Sequence, residues 1–422
     1  MKKNSKKIPK IWIINQFANT PNMPGGTRHY EIAKYFTNLN WDVEVFASDF
    51  NLSSRKYMVL KDFQLWETQQ LDGFKWHWLR TLSYKKNDYK RYLNLISFSF
   101  VFFVRQFFVI LISSILRSGP NVIIASSPQL PAAFFSLILA KIFKTIFIFE
   151  VRDIWPQVLI DLGGLKKESF LIRFLSWMES TLYKNADCVV VLAKGAKKYV
   201  SKKGARSIAW LPNGPDLKEF KPLPLPNEPL NFTKREPFQI IYTGSHGLAN
   251  DLTNIVETAK NMIKEPVKFT LVGDGPEKIN LMNQARELDN IIFLSPVPKL
   301  LIPELIANYH AILISLKGVR LFEYGISPNK LYDAYALSRP VISTVNGFVN
   351  KEIKDFNLGC TALPGDPKSL SKAIKNLIML SKKDREEMGR RGRELAVKIY
   401  SRDKIKKLYA ELVIKLIKKN DY

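Results

Sequence analysis

Cysteine is nearly absent from this chain: Cys188 and Cys360 are the only two in 422 residues, far apart and in no metal-ligand spacing. That excludes a disulfide framework and a cysteine-based zinc site, and it fits a reducing compartment. Acidic residues are also scarce. Against 64 Lys and Arg stand 38 Asp and Glu, a formal net charge of +26, which calls for an anionic partner: nucleic acid, an acidic lipid surface or a phosphorylated substrate. The lysines are scattered and form no RNA- or DNA-binding module, which ranks nucleic acid last. The start, MKKNSKKIPKIWIINQF, is basic but has no uninterrupted apolar stretch and no small-residue cleavage site, so a secretory signal is not expected and a cytoplasmic setting is. Neither a Walker loop nor a G-x-G-x-x-G fingerprint occurs, which weakens kinase and dehydrogenase readings.

What the chain does have is length, and 46% hydrophobic residues, enough for two cores and therefore two domains. Residues 95–116 form its longest apolar run, but Arg105 and Gln106 sit at the middle, where they would be costly in a bilayer. Two readings stand. The helix covers a sheet, or it lies partly in a membrane interface with Lys85, Lys86, Lys90, Arg91 and Arg117 facing lipid phosphates.

Elsewhere, β-branched runs alternate with helical patterns, the mark of parallel sheets flanked by helices. Strands are predicted at 10–16, 41–47, 75–80, 121–126, 145–151, 187–192 and 207–212, and helices at 27–39, 130–142, 168–184 and 194–203. Between Pro212 and Pro237, seven prolines crowd a stretch that can neither extend a helix nor pair centrally in a sheet. The alternation then restarts with QIIYTG, VKFTLVG, IIFLS, AILISL, RPVIST and CTAL. The division that follows is an acceptor-side α/β domain at 1–212, a linker at 213–236, a nucleotide-side α/β domain at 237–399, and a helix at 400–422 returning to the first domain. Two such halves leave a cleft at their carboxyl edges, where ligands of open parallel sheets bind.

Loops at those edges suit phosphate. Gly25 and Gly26 in MPGGTRHYEIAKYF separate a strand from a helix; Gly244, Ser245 and His246 in YTGSHG repeat the arrangement, and Gly273 in LVGDGPE again. Bare backbone N–H groups at such turns accept negative charge. In GISPNKLYDAYALSRPVI, Asn329 and Lys330 open a helix. An ammonium there balances a diphosphate, while Asp333 can accept from two vicinal ribose hydroxyls. The plainer alternative is a solvated turn with Asp333 near a helix N-terminus.

Taken in order and at these separations, PGGTRHYEIAKYF, WLPNGPDLKEF, YTGSHG, LVGDGPE and GISPNKLYDAYALSRPVI resemble the bacterial retaining glycosyltransferases of family four, which have the two-domain GT-B fold. FEVRDIWPQVLIDLGGL and SPNKLYDAY most resemble the surface-polysaccharide branch containing N-acetyl-L-fucosamine transferases of O-antigen and capsule assembly. The resemblance implies a nucleoside-diphosphate sugar as donor, UDP-linked by preference. It further implies a polyprenyl-diphosphate-linked saccharide as acceptor at the inner face of the membrane, with peripheral attachment to an anionic membrane surface.

Carried over by position, the second glutamate of the family's Glu, seven residues, Glu motif falls on Asp333. The first falls on Gly325, so a carboxylate contact to the sugar has to come from elsewhere, with Glu323 or the backbone amides of 327–329 as candidates. Ser245 stands where the family has an arginine and Asp251 lies near its usual lysine, which transfers weight to Lys330, with Arg320 and His246 as secondary contacts. Where many relatives end a strand with histidine, this chain has Arg152 followed by Asp153. Glu150, Arg152 and Asp153 form either a structural ion cluster or, with Asp153 or Glu150 orienting the acceptor, catalytic groups beside Lys330. No D-x-D occurs, so no metal and no cofactor beyond the donor are expected. Two other function classes stay open: an epimerase of the same fold, and a nucleic-acid binder suggested by charge alone.

Overall fold

A computed structural model of the chain describes residues 8–23, 25–51, 54–84, 89–116 and 119–420, with side chains described for all of these but 89 and 109–116. Lys85, Lys86 and Arg117, expected at a lipid surface, lie outside the described residues.

The first half supplies strands β1 (Lys10–Ile14), β2 (Asp42–Ser48), β3 (Trp66–Leu71), β4 (Phe74–Leu79), β5 (Val122–Ser126), β6 (Ile146–Val151), β7 (Cys188–Val191) and β8 (Ile208–Trp210). They form one sheet in the order β3-β4-β2-β1-β5-β6-β7-β8, parallel except for β3. Its central strands are buried along nearly their whole length and mostly apolar, because helices cover both faces. The helices are α1 (Arg28–Asn38), α2 (Tyr89–Leu116), α3 (Leu130–Phe143), α4 (Gln157–Asp161), α5 (Phe170–Asn185) and α6 (Ala196–Lys202). Strand β3 escaped prediction because WETQQL is a polar edge strand. The signal was the dipeptide Asp72-Gly73, whose φ of 45° and 88° make the hairpin turn.

The second half restarts the pattern with β9 (Phe238–Thr243), β10 (Val267–Val272), β11 (Ile291–Leu294), β12 (Ala311–Ile314), β13 (Val341–Ser343) and β14 (Gly359–Thr361), an all-parallel sheet in the order β11-β10-β9-β12-β13-β14. Its helices are α7 (Leu252–Asn261), α8 (Lys278–Gln284), α9 (Ile302–Ile306), α10 (Arg320–Glu323), α11 (Asn329–Ala336), α12 (Phe348–Asp355), α13 (Pro367–Met379) and α14 (Lys382–Leu395). A π-helical turn at Ala396–Tyr400 ends α14, and α15 (Arg402–Asn420) then crosses to the first half. There Tyr409 is buried against Phe36 on α1 and Lys406 pairs with Glu31 at 3.5 Å.

The proline-rich linker is not a free tether. Buried Arg339 donates to the carbonyls of Leu223 and Pro224 at 2.8 Å each, and Arg393 to that of Phe220 at 2.6 Å. The two chain crossings between the halves run side by side: a Cβ on Gly214 would fall 1.7 Å from the Tyr400 carbonyl, and the Arg402 amide donates to Pro215 O at 3.2 Å.

Helix α2 covers the sheet, the first of its two expected roles, packing Leu95, Phe98, Val101 and Phe102 into the core. Arg105 turns inward and donates to Gln106 Oε1 at 2.7 Å and His77 Nδ1 at 2.8 Å, while His77 donates through Nε2 to Glu44 at 2.8 Å. The mid-helix charge is therefore satisfied inside the protein. Among the described residues no helix is long and apolar enough to cross a membrane.

Candidate functional site

The carboxyl edges of the two sheets face each other, and the loop opening with Gly325 stands at the junction. Asn213 donates its amide to Ser327 Oγ and its side chain to Ser327 O, both at 2.9 Å. The Leu321 amide donates to Asp161 Oδ2 at 2.7 Å. A Cβ on Gly195 would fall 2.3 Å from the Tyr324 carbonyl, and Gly325 itself has φ +87°, with Ala193 only 3.5 Å from where its own Cβ would stand. A side chain at 325 meets backbone strain, its neighbours standing at ordinary contact distance, and the positive φ accounts locally for glycine where the family motif has glutamate.

On the first-half side, Glu150 at the end of β6 is fully buried, and both carboxylate oxygens are committed. Oε2 accepts from Arg28 at 3.0 and 3.2 Å, and Oε1 from His29 Nε2 at 3.0 Å. Arg28 also donates to the carbonyls of Leu211 and Pro212 at 2.9 and 2.7 Å. Desolvation pushes Glu150 toward its neutral form, but Arg28 and His29 outweigh it and hold the carboxyl far below its ordinary range. Burial keeps His29 neutral below its usual value despite Glu150. Of the ion cluster expected among Glu150, Arg152 and Asp153, Arg152 does act electrostatically on both carboxylates, while the hydrogen-bonded partners of Glu150 lie on α1, because a strand residue faces the helix packed above it.

Ser127 Oγ fixes the turn after β6, accepting from the amides of Arg152 at 2.9 Å and Asp153 at 3.1 Å. Asp153 is exposed at the floor of the gap. Its ring of protein raises the carboxyl, opposed by Arg152 and Arg91. Gly25, at φ +131°, has Asn19 only 2.3 Å from where a Cβ would stand, whereas Gly26 has nothing within 4 Å.

On the second-half side, Lys330 sits in the first turn of α11. Its Nζ is buried without a hydrogen-bond partner, 4.0 Å from the centre of the Tyr242 ring and 2.9 Å from where a Cβ on Gly244 would stand. Burial alone pushes its ammonium down to about 7. Asp333, one turn on, is buried; Oδ2 lies 3.6 Å from Lys299 Nζ and Oδ1 has no partner. Desolvation raises its carboxyl, and Lys299 counters. Cation and carboxylate thus lie one turn apart on α11, each in its own surroundings and not paired to each other. Asn329 and Ser245 are exposed beside them.

The glycine loops need a correction. The Gly244 amide donates to Val272 O at 2.9 Å, that of His246 to Asp274 O at 2.8 Å, and that of Gly273 to Leu294 O at 3.2 Å. These N–H groups are not bare. Gly273 is required for packing, since a Cβ there would meet the Gly244 carbonyl at 1.8 Å. The ring of His246 is buried, both nitrogens lack partners, and burial lowers it to about 4, so it carries no charge at neutral pH and would meet a phosphate as a neutral donor. Asp251 is taken up by the Gly365 amide at 3.1 Å. Arg320 and Glu323 are exposed on α10. The sequence reading missed Arg28, His29 and, in the second half, Lys299; the signal for the first two was their place directly after the glycine pair, at a helix start.

Among the described residues no group of three or more His, Cys, Asp or Glu is placed to hold a metal.

Comparison with known proteins gives the following. Residues 25–214 match the glycosyl transferase 4-like domain and residues 237–379 match glycosyl transferases group 1. WbjE of Pseudomonas aeruginosa, named a probable glycosyltransferase, is 25% identical over 65% of this chain and 70% of its own. WcaI of Escherichia coli K12, named for colanic acid biosynthesis as a glycosyl transferase, is 24% identical over 74% of this chain and 76% of its own. In fold, sucrose-phosphate synthase from Thermosynechococcus elongatus superposes with TM-score 0.71 at 16% identity, covering 97% of this chain and 100% of that one. Anabaena HepE in complex with UDP superposes with TM-score 0.64 at 15% identity, covering 96% and 100%.

Proposed function

The chain belongs to the group 1 glycosyltransferases, and from that premise we propose that it transfers a sugar from a nucleoside diphosphate to a lipid-linked saccharide in surface-polysaccharide assembly, with retention at the anomeric carbon. The observation that carries the reading is the pair of incomplete polar groups on α11: a buried ammonium with no acceptor and a buried carboxylate oxygen with no donor. Buried polar groups are normally satisfied, and a nucleoside diphosphate satisfies both, its phosphates at Lys330 and its ribose hydroxyls at Asp333.

In this reading the bond between the anomeric carbon and the diphosphate oxygen breaks as the acceptor hydroxyl bonds to the same face, and the acceptor's proton leaves on the departing phosphate. Negative charge grows on the leaving group, and a preplaced ammonium in a water-poor site stabilises it without reorganisation. Lys330 takes that role and no divalent ion is invoked. Asp153 orients the acceptor hydroxyl from the opposite edge. Glu150 touches no substrate and positions Arg28 and His29 behind Gly25 and Gly26. Arg152 supplies positive potential at the same turn.

The donor is read as UDP-linked, a reading supported by the UDP carried by HepE, and the sugar as an N-acetylated deoxyhexosamine such as N-acetyl-L-fucosamine. The acceptor is a polyprenyl-diphosphate saccharide at the cytoplasmic membrane face. Thermal-shift screening of UDP and GDP sugars tests the donor, because a ligand that binds only the folded chain raises its melting temperature. A rise with UDP sugars, lost in Lys330→Ala, is expected; an equal rise in the variant refutes the site. Isomerised donor without acceptor would identify an epimerase instead.

A further inference from the structure

One face of the first half is covered by α2, α3 and α5, which pack side by side on the sheet. Their outer surface is apolar. On α2, Ile96, Phe100, Phe103 and Phe107 recur at intervals of three and four and are exposed, Phe100 by 64%. On α5, Phe170, Phe174 and Trp177 do the same, Phe170 by 85%. Helix α3 joins the two stripes, with Phe135 4.7 Å from Phe103 and Phe134 5.3 Å from Trp177 between ring centres, and it adds exposed Ile142. The result is one continuous aromatic surface, not isolated exposed side chains.

Its charge pattern says what covers it. The three helices carry a single carboxylate, Glu179, which is buried and bonded to Tyr183 at 3.0 Å and Lys203 at 2.5 Å. Exposed cations stand at both ends of the patch: Lys90, Lys166 and Arg173 near the helix starts, and Lys141, Lys144 and Lys184 near the helix ends. Glu168, in the loop before α5, and Asp187, just after its end, are exposed carboxylates near them. Rings in the middle, cations at the ends and few anions match a bilayer interface with negatively charged headgroups.

We propose that the α2–α3–α5 face lies flat on an anionic lipid bilayer, inserting Phe100, Phe170, Phe174 and Trp177 at headgroup depth. In a parallel sheet the crossover helices run against the strands, so α2 and α5 begin at the carboxyl edge that borders the cleft. The surface so placed brings the site to the membrane. The proposal fits a lipid-linked acceptor but does not depend on one, because vesicle binding is read without donor or acceptor.

The test is flotation of the full-length protein with phosphatidylglycerol-containing vesicles and with pure phosphatidylcholine vesicles, at low and high salt. Binding to the first at low salt, weakened by salt, is expected. Phe100→Asp with Phe174→Asp should reduce partitioning at least about tenfold, with melting temperature and nucleotide binding unchanged. Phe170→Ser, at the most exposed position, gives an independent smaller loss should the double variant fold poorly. Leu230→Asp, an equally exposed apolar residue in the linker, should change nothing. Absence of binding to anionic vesicles, or wild-type flotation of the patch variants, overturns the proposal. So does a dimer in sedimentation that these substitutions dissolve without any vesicle binding, since a second copy would then be the occupant.

Discussion

Two charged clusters face each other across the junction, and they are built from similar parts: a glycine loop, a helix start, a buried carboxylate and a buried cation. The first-half cluster is closed, with both oxygens of Glu150 held by Arg28 and His29. The second-half cluster is open, with Lys330 Nζ and Asp333 Oδ1 unpartnered. A closed network stabilises the fold and fixes geometry, whereas an open one is costly until something completes it. Similar residue types therefore read as scaffold on one side and as a binding site on the other, and only partners distinguish them.

Substitutions can break that contrast. Glu150→Ala should cost about 3–5 kcal/mol of stability, because it strands two groups that depend on it; denaturant titration measures this, and a loss under about 1 kcal/mol would place the network among the weak surface pairs. Lys330→Ala should do the reverse, lowering turnover about a hundredfold to a thousandfold with no loss of melting temperature. Activity close to wild type in a labelled-donor assay would leave the open cluster without a catalytic purpose.

A third experiment sharpens the comparison through pH. The ammonium of Lys330 is held at about 7 when folded, against 10.5 for the free side chain. Between those values the unfolded chain binds the extra proton, so native stability rises with pH from 7 towards 10.5. Lys330→Met should accordingly be more stable than wild type near neutrality, by at most about 4–5 kcal/mol, and the gain should fade by pH 10.5. A gain independent of pH would mean the lysine is not desolvated. The smallest effect is expected from Asp333→Ala: about a tenfold rise in the Michaelis constant for the donor, with a lesser change in turnover. An unchanged constant removes the ribose contact.

Much of the architecture was legible beforehand because it rests on local rules. Apolar runs of β-branched residues gave the central strands, and the proline cluster marked the passage between the halves. WETQQL failed as a strand prediction because an edge strand that pairs on one side needs no apolar face, and its Asp-Gly turn was passed over. In the site, Lys330 and Asp333 were found by position on a helix start. Nothing in YTGSHG tells that the ring of His246 is buried, near Tyr242 and Phe293. The amides of Gly244 and Gly273 were misjudged for the same reason: whether an N–H is free depends on the strand beside it.

The sequence by itself determined the alternation of strand and helix, the division into two sheets, and the place of Lys330 at a helix start, since periodicity, proline and residue type act over a few neighbouring residues. Tertiary structure alone decided which charges were satisfied, which glycines were occupied by packing, and that three helices distant in sequence present one aromatic face. Those properties depend on distances of a few ångströms between residues far apart along the chain, and local order carries no record of them.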